Sequence, residues 1–308
     1  MILQFRHITT KVHLHIPEKV VLLCLKDFKE NVNREITKLW GQHKKTTAVR
    51  NYYYLALYHD ITGTGYNELS ISVKNWFKTS GNSIRVNTKR IREFLYYWSE
   101  QYIESGNLQD WNNAASTIKT KKELGEVNLW IDSTDFKLEG KGTVSKSSID
   151  WSFKKNSLGC RFMLISDANG VIRYVSDAYP PKTYDGYWLT INRHFMESTF
   201  AGSTIIGDCH FAVGSSLYKK LKFVTPIPQH KEHTKKKRDT SVTAPLNQKS
   251  QRFNEKHRNL RARVENIFAQ MENMFNILSH PWAEEYLQLN YLVITSCAFM
   301  NLRKKYNL

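Results

Sequence analysis

Three acidic residues limit the folds open to this chain. Asp132 closes the apolar run Leu129-Trp130-Ile131, Asp208 follows Thr204-Ile205-Ile206-Gly207, and Glu265 lies inside the basic stretch HRNLRARVENIFAQMENMF. The first two runs are short and apolar, as buried strands are. The third repeats apolar residues at helical spacing. Ligands of an open α/β sheet gather beyond the carboxyl ends of its strands. Two strands ending in aspartate and a helix carrying glutamate can therefore bring three carboxylates to one place.

The intervening segments fit such a sheet. VNLWID reads as a strand, a possible strand follows near 149–154, and CRFMLIS and VIRYVS flank Asp167-Ala168-Asn169-Gly170. Asn-Gly between two apolar runs is a strong hairpin signal. Tyr184 to about Thr199 reads as a helix, STIIG and KFVTP as strands, and Asn247 to about Leu278 as a long helix. Strand, hairpin, helix, strand, helix is the order of a ribonuclease H-like α/β domain, a mixed sheet flanked by helices. In that layout the first strand and the strand after the helix lie side by side and parallel. We expect this domain over residues 121–308, with a basic loop at 227–255.

Residues 1–120 read as all-α, with a loose division in the polar, turn-rich stretch 108–125. Pro17 suits a first helical turn. His13 and His15 alternate with apolar neighbours as on a strand and read as structural. Leu69, Val73, Trp76 and Phe77 share one helical face, and Ile91, Phe94, Leu95, Trp98 and Tyr102 another, with a turn at KTSGNS between. This pattern suits a helix-turn-helix with Lys89, Arg90 and Arg92 on the open face of its second helix. It equally suits an ordinary helical hairpin with a solvated basic face.

The acids suggest a chemistry. Phosphodiester cleavage needs an activated hydroxyl and relief of charge on the leaving oxygen. Two Mg²⁺ (or Mn²⁺) ions about 3.5–4 Å apart supply both. Asp132 would bridge them, with Asp208 on one and Glu265 on the other. Asp135 competes for the first place but would face the other side of the strand. Asp185 caps the helix that follows it, or supports the site from behind the ligands. Arg258 and Arg261 precede Glu265 by two turns and one turn on its own face and, with Arg263, are candidates for DNA contact.

These motifs resemble the PIF/Harbinger-type transposases of the DDE endonuclease superfamily, a group that includes the Harbinger-derived nuclease. WIDST, LISDANGVIRYVSDAYPPKTYDGYW, IIGDCHF and NEKHRNLRARVENIFAQMENMFNIL carry the resemblance, over about half the chain. It implies an Asp132, Asp208, Glu265 triad that cleaves transposon ends and transfers the 3′-hydroxyl to target DNA. Terminal inverted repeats, a Myb-like accessory protein and a homodimer or higher oligomer are implied as partners. The chain departs from the family at Tyr184, where relatives have His, at His210-Phe211, where they have Gly-Tyr, and at Glu272, where they usually have Lys. A basic contact to the DNA end is then absent or supplied from elsewhere. A DNA-binding descendant without catalysis, or a nuclease without strand transfer, would share much of this sequence.

Charge agrees with a polyanion partner: the 308 residues carry a formal net charge of +17. Lys235, Lys236, Lys237 and Arg238 centre the basic loop and read as a phosphate-binding arm or a nuclear localisation signal. Four scattered cysteines form no CxxC pair, which argues against a zinc ribbon and for a reducing compartment. The run 291–300 is too short to span a bilayer. These features together suggest a soluble intracellular protein in the nucleus, without a membrane partner.

Overall fold

The computed structural model describes residues 2–31, 46–75, 77–116, 127–140, 145–228 and 246–307. In chain order these form α1 (Ile2–His15), α2 (Glu18–Asn31), α3 (Thr46–Thr62), α4 (Tyr66–Val73), α5 (Gly81–Glu100) and α6 (Leu108–Ser116). There follow β1 (Leu129–Lys137), β2 (Trp151–Ser152), β3 (Ser157–Asp167), β4 (Ile172–Val175), α7 (Asp185–Ile191), α8 (Arg193–Thr199) and β5 (Thr204–Ile206). The last elements are α9 (Gly214–Leu217), β6 (Lys222–Val224), α10 (Gln248–Met274) and α11 (Tyr286–Lys305).

The sheet is mixed, in the order β2-β3-β1-β5-β6, with β4 also on β3. β1 runs antiparallel to β3 along its whole length and parallel to β5 only at Leu129 and Trp130. The side-by-side parallel pair expected from sequence is therefore present. The β3–β4 hairpin closes where expected. Asp167 Oδ1 accepts from the backbone N–H groups of Asn169 and Val171, and Gly170 turns the chain at φ +72°, a conformation glycine adopts without cost.

Side chains alternate across the sheet, and each face has its own cover. Trp130, Phe136, Phe162 and Leu164 join one core with α10 and α11, whereas Leu129, Ile131, Met163 and Ile165 join a second with α7 and α8. α10 buries Leu260, Val264, Ile267, Phe268 and Met271, a stripe at helical spacing. α11 is buried almost all round from Leu289 to Leu302, so its apolar run is a core helix. Among the described residues no helix is long and apolar enough to cross a membrane.

Several expectations change. α1 extends through His13 and His15, so these are helical. The polar stretch 108–125 contains α6, and its remaining residues, 117–125, lie outside the described ones. Among the described residues, Val12, Leu57, Ile91 and Trp98 of the N-terminal helices belong to the same core cluster as Trp130, Val264 and Phe299. The single helix expected over 184–199 breaks at Asn192 into α7 and α8. Gly81 is not in a loop but begins α5, which Ser80 caps through the N–H of Ser83. Trp76 and the Lys235–Arg238 cluster lie outside the described residues.

The largest change concerns the basic face of α5. Arg92 is 1% exposed and makes a bidentate pair with Asp60 of α3. Its Nη1 also donates to Glu284 at 3.1 Å, and its guanidinium lies over the Trp282 ring. Tyr66 completes the group by donating to Glu284 at 2.6 Å. Lys89 pairs with Glu285 at 2.8 Å, and Arg90 is half-buried. A guanidinium removed from water needs charged partners, and here they come from the chain itself. The Trp282 N–H in turn donates to Lys137 O at the end of β1, and its carbonyl accepts from the Glu139 N–H just beyond. The network thus joins the helical segment to the sheet.

Candidate active site

β1 continues past its two-residue parallel pairing with β5, so Asp132 lies mid-strand, not at the strand end. The end that matters is that of β5. Ile206 pairs with Trp130, so the chain leaves the sheet two residues further on at Asp208, level with Asp132. Asp208 there caps a short 3-10 turn by accepting from the His210 N–H.

Two buried polar contacts seat α10 across this opening. Trp130 Nε1 donates to Leu260 O at 2.9 Å. His257 Nε2 lies 2.9 Å from Gly207 O and 3.3 Å from Val224 O, so it carries the proton. Burial lowers the His257 pKa, in keeping with a neutral ring. Replacing His257 with phenylalanine removes the tether next to Asp208 and should cost about 1–3 kcal/mol of stability. A urea titration of the variant measures this.

Asp132, Asp208, Glu265 and Asp185 line one cleft of about 590 Å³. Asp132 is 6% exposed, and burial pushes its pKa up to about 6 against the pull of Arg261, Lys154 and the Ser133 N–H. Glu265 lies on the outer edge, with its side chain half exposed. Asp135 points to the opposite face, where it accepts Arg161 Nε at 2.6 Å and Ser152 Oγ at 2.6 Å. Asp185 is the first residue of α7 rather than its cap, which is Tyr184 without a side-chain bond. Its buried Oδ1 accepts no hydrogen bond, with Arg161 Nη1 at 3.5 Å, and burial raises its pKa.

The arginines divide. Arg261 turns into the cleft. Its Nη1 lies 3.5 Å from Asp208 and 4.0 Å from Asp132, and its Nη2 donates to Glu265. It is therefore a counter-ion to the acids before it can contact any DNA. Arg263 leans back to donate to Ala168 O at 2.9 Å and so braces the β3–β4 turn. Arg258 is exposed on the preceding turns of α10 and is not part of the cleft lining.

Three cleft residues were not expected from sequence. Lys154 donates to Ser133 O at 3.1 Å and lines the cleft, as do Arg161 and His210. Lys155, beside it, pairs with Glu272 at 3.4 Å. The β2–β3 turn therefore carries positive charge to the place where α10 has an acid. Adjacent lysines in SFKKN were the only signal for this.

The donor set suits a hard divalent cation, since it consists of carboxylate oxygens, one of them buried without a hydrogen bond. Among the described residues no three such side chains are yet drawn together as ligands, and Arg261 contacts the acids instead. The model of the DDE superfamily endonuclease family matches residues 131–301, more than half of the chain, and the match spans Asp132, Asp185, Asp208 and Glu265. The chain belongs to this family. No curated protein and no solved structure matches it. As a DDE superfamily endonuclease it carries a domain type associated with DNA cleavage and transposition, which typically depends on divalent metals. The mixed sheet flanked by helices is consistent with that fold.

Proposed function

We propose that this chain is a divalent-metal-dependent DNA endonuclease of the transposase kind, with Asp132, Asp208 and Glu265 as its metal-binding acids. The observation that carries the reading is their convergence. Acids from β1, from the exit of β5 and from α10 line one cleft in a chain of the DDE endonuclease family. Two Mg²⁺ or Mn²⁺ ions bound there would supply Lewis acidity to the attacking hydroxyl and offset charge on the leaving oxygen.

The remaining steps belong to the protein. Lys154 and Arg261 offer cationic donors to the non-bridging oxygens of the phosphate and orient it. Arg161 holds Asp185 at the cleft wall. His210 stands exposed at the rim of the cleft. The ribonuclease H-like layout, the PIF/Harbinger subtype and a triad acting on transposon terminal repeats and then on target DNA form one coherent proposal. A Myb-like helper, oligomeric assembly and a nuclear location complete it. The helices of residues 1–120 would hold DNA beside the cleft, although not through Arg92.

Strand transfer separates a transposase from a simple nuclease. Labelled duplex carrying the repeats that flank the gene would be incubated with Mn²⁺ and a supercoiled plasmid. Joining of label to the plasmid is the expected result, and cut ends that stay unjoined leave only the nuclease. The role of Lys154 is separately testable. Lys154→Ala should weaken duplex binding evenly across sequences and lower the salt slope of the affinity by about one. Fluorescence anisotropy at several salt concentrations reads both.

A further inference from the structure

One cation contacts every acid of the proposed triad. The Arg261 guanidinium reaches Asp132, Asp208 and Glu265 together, and its side chain is 25% exposed. Among the described residues, the other cleft cations have partners outside the triad: Lys154 donates to Ser133 O although it also pulls on Asp132, and Arg161 pairs with Asp135 and Asp185. A divalent ion approaching the same carboxylate oxygens meets a like charge at short range and must displace it. The displaced guanidinium needs another anion, and a DNA phosphate entering the cleft presents oxygens in the geometry it prefers.

We infer that Arg261 couples divalent-ion binding to DNA binding: it occupies the triad carboxylates until a DNA phosphate draws it away, so that each ligand strengthens the other. This rests on reading Asp132, Asp208 and Glu265 as the metal site. Linkage makes the effect reciprocal, with one factor for both ligands. Two simpler roles predict otherwise. An arginine that only bound DNA would leave ion affinity unchanged on removal. One that only braced Glu265 would weaken ion binding when lost.

The experiment is a Mn²⁺ titration of the full chain, read from the paramagnetic resonance signal of free Mn²⁺. It would be run with and without a short duplex, correcting for Mn²⁺ taken up by the duplex alone. Without DNA, Arg261→Gln should bind Mn²⁺ about ten-fold more tightly than wild type, within the usual range of coupling. Arg261→Lys should stay near wild type, and Arg261→Met should repeat the glutamine result and guard against a folding artefact. The duplex should tighten Mn²⁺ binding to wild type by a similar factor and barely change Arg261→Gln. Unchanged or weaker Mn²⁺ binding by both neutral variants, with Asp132→Asn still abolishing it, would overturn the coupling alone. If Asp132→Asn binds Mn²⁺ like wild type, the metal-site reading and the coupling fall together.

Discussion

Arg92→Met should destabilise the protein by about 3–5 kcal/mol, the usual cost of leaving a buried charge without its partner. Asp60 is 1% exposed, and it pairs with Arg92 and with the buried His59, whose Nε2 lies 4.0 Å away. Burial lowers the His59 pKa, so at neutral pH this imidazole is a poor substitute for the guanidinium. Glu284 loses a donor as well. Because the network joins α3, α5 and the segment before α11, the loss should appear in a single unfolding transition of the whole chain. Adding Asp60→Leu to Arg92→Met should recover a large part of it, since the isolated carboxylate is the main penalty. Urea titrations of the three proteins test this. A single variant within 1 kcal/mol of wild type would mean that the network does not brace the molecule.

Asp132→Asn has the opposite sign. Burial lifts the Asp132 pKa from 3.8 to about 6, so the folded protein binds this proton more tightly than the unfolded chain does. Stability on this account is highest below about pH 4, falls as pH rises through the window from 4 to 6, and stays reduced above it. At 1.36 kcal/mol per unit, the ionised group costs on the order of 3 kcal/mol at neutral pH. Removing it also takes one anion from Arg261, which offsets part of the gain. We expect the variant to be about 1–3 kcal/mol more stable than wild type at pH 8 and indistinguishable near pH 4. Thermal unfolding at the two pH values is the check, and destabilisation at pH 8 would contradict it. A carboxylate kept where it costs stability is the usual signature of a site retained for chemistry.

The sheet was readable because its signals are local. LWID, CRFMLIS and VIRYVS are apolar runs of strand length, and Asn169-Gly170 fixes the hairpin between two of them. The convergence of Asp132 and Asp208 followed from strand order, and Glu265 from the stripe that buries α10. Contacts distant in sequence were not readable. Nothing local distinguishes Arg92, buried against Asp60, from Lys89 or Arg90 on the same helix; only the partner elements decide it. The shared core is not legible for the same reason, since nothing in the residues of α11 alone places it against α5. Arg261 shared a face with Glu265 in either reading. Whether it met DNA or the acids depended on how close β1 and the exit of β5 come to α10. Lys154 reached the cleft through a turn whose direction the sequence did not specify.

The most direct test of the central claim is cleavage of labelled duplex DNA bearing the flanking repeats, with Mg²⁺ or Mn²⁺. Wild type would be compared with Asp132→Asn, Asp208→Asn and Glu265→Gln, each checked for folding and DNA binding. The account predicts metal-dependent cutting by wild type, lost in all three variants while binding persists. Cutting that survives any one of these substitutions, or tight binding of the cognate ends by wild type without cutting under either metal, would contradict it.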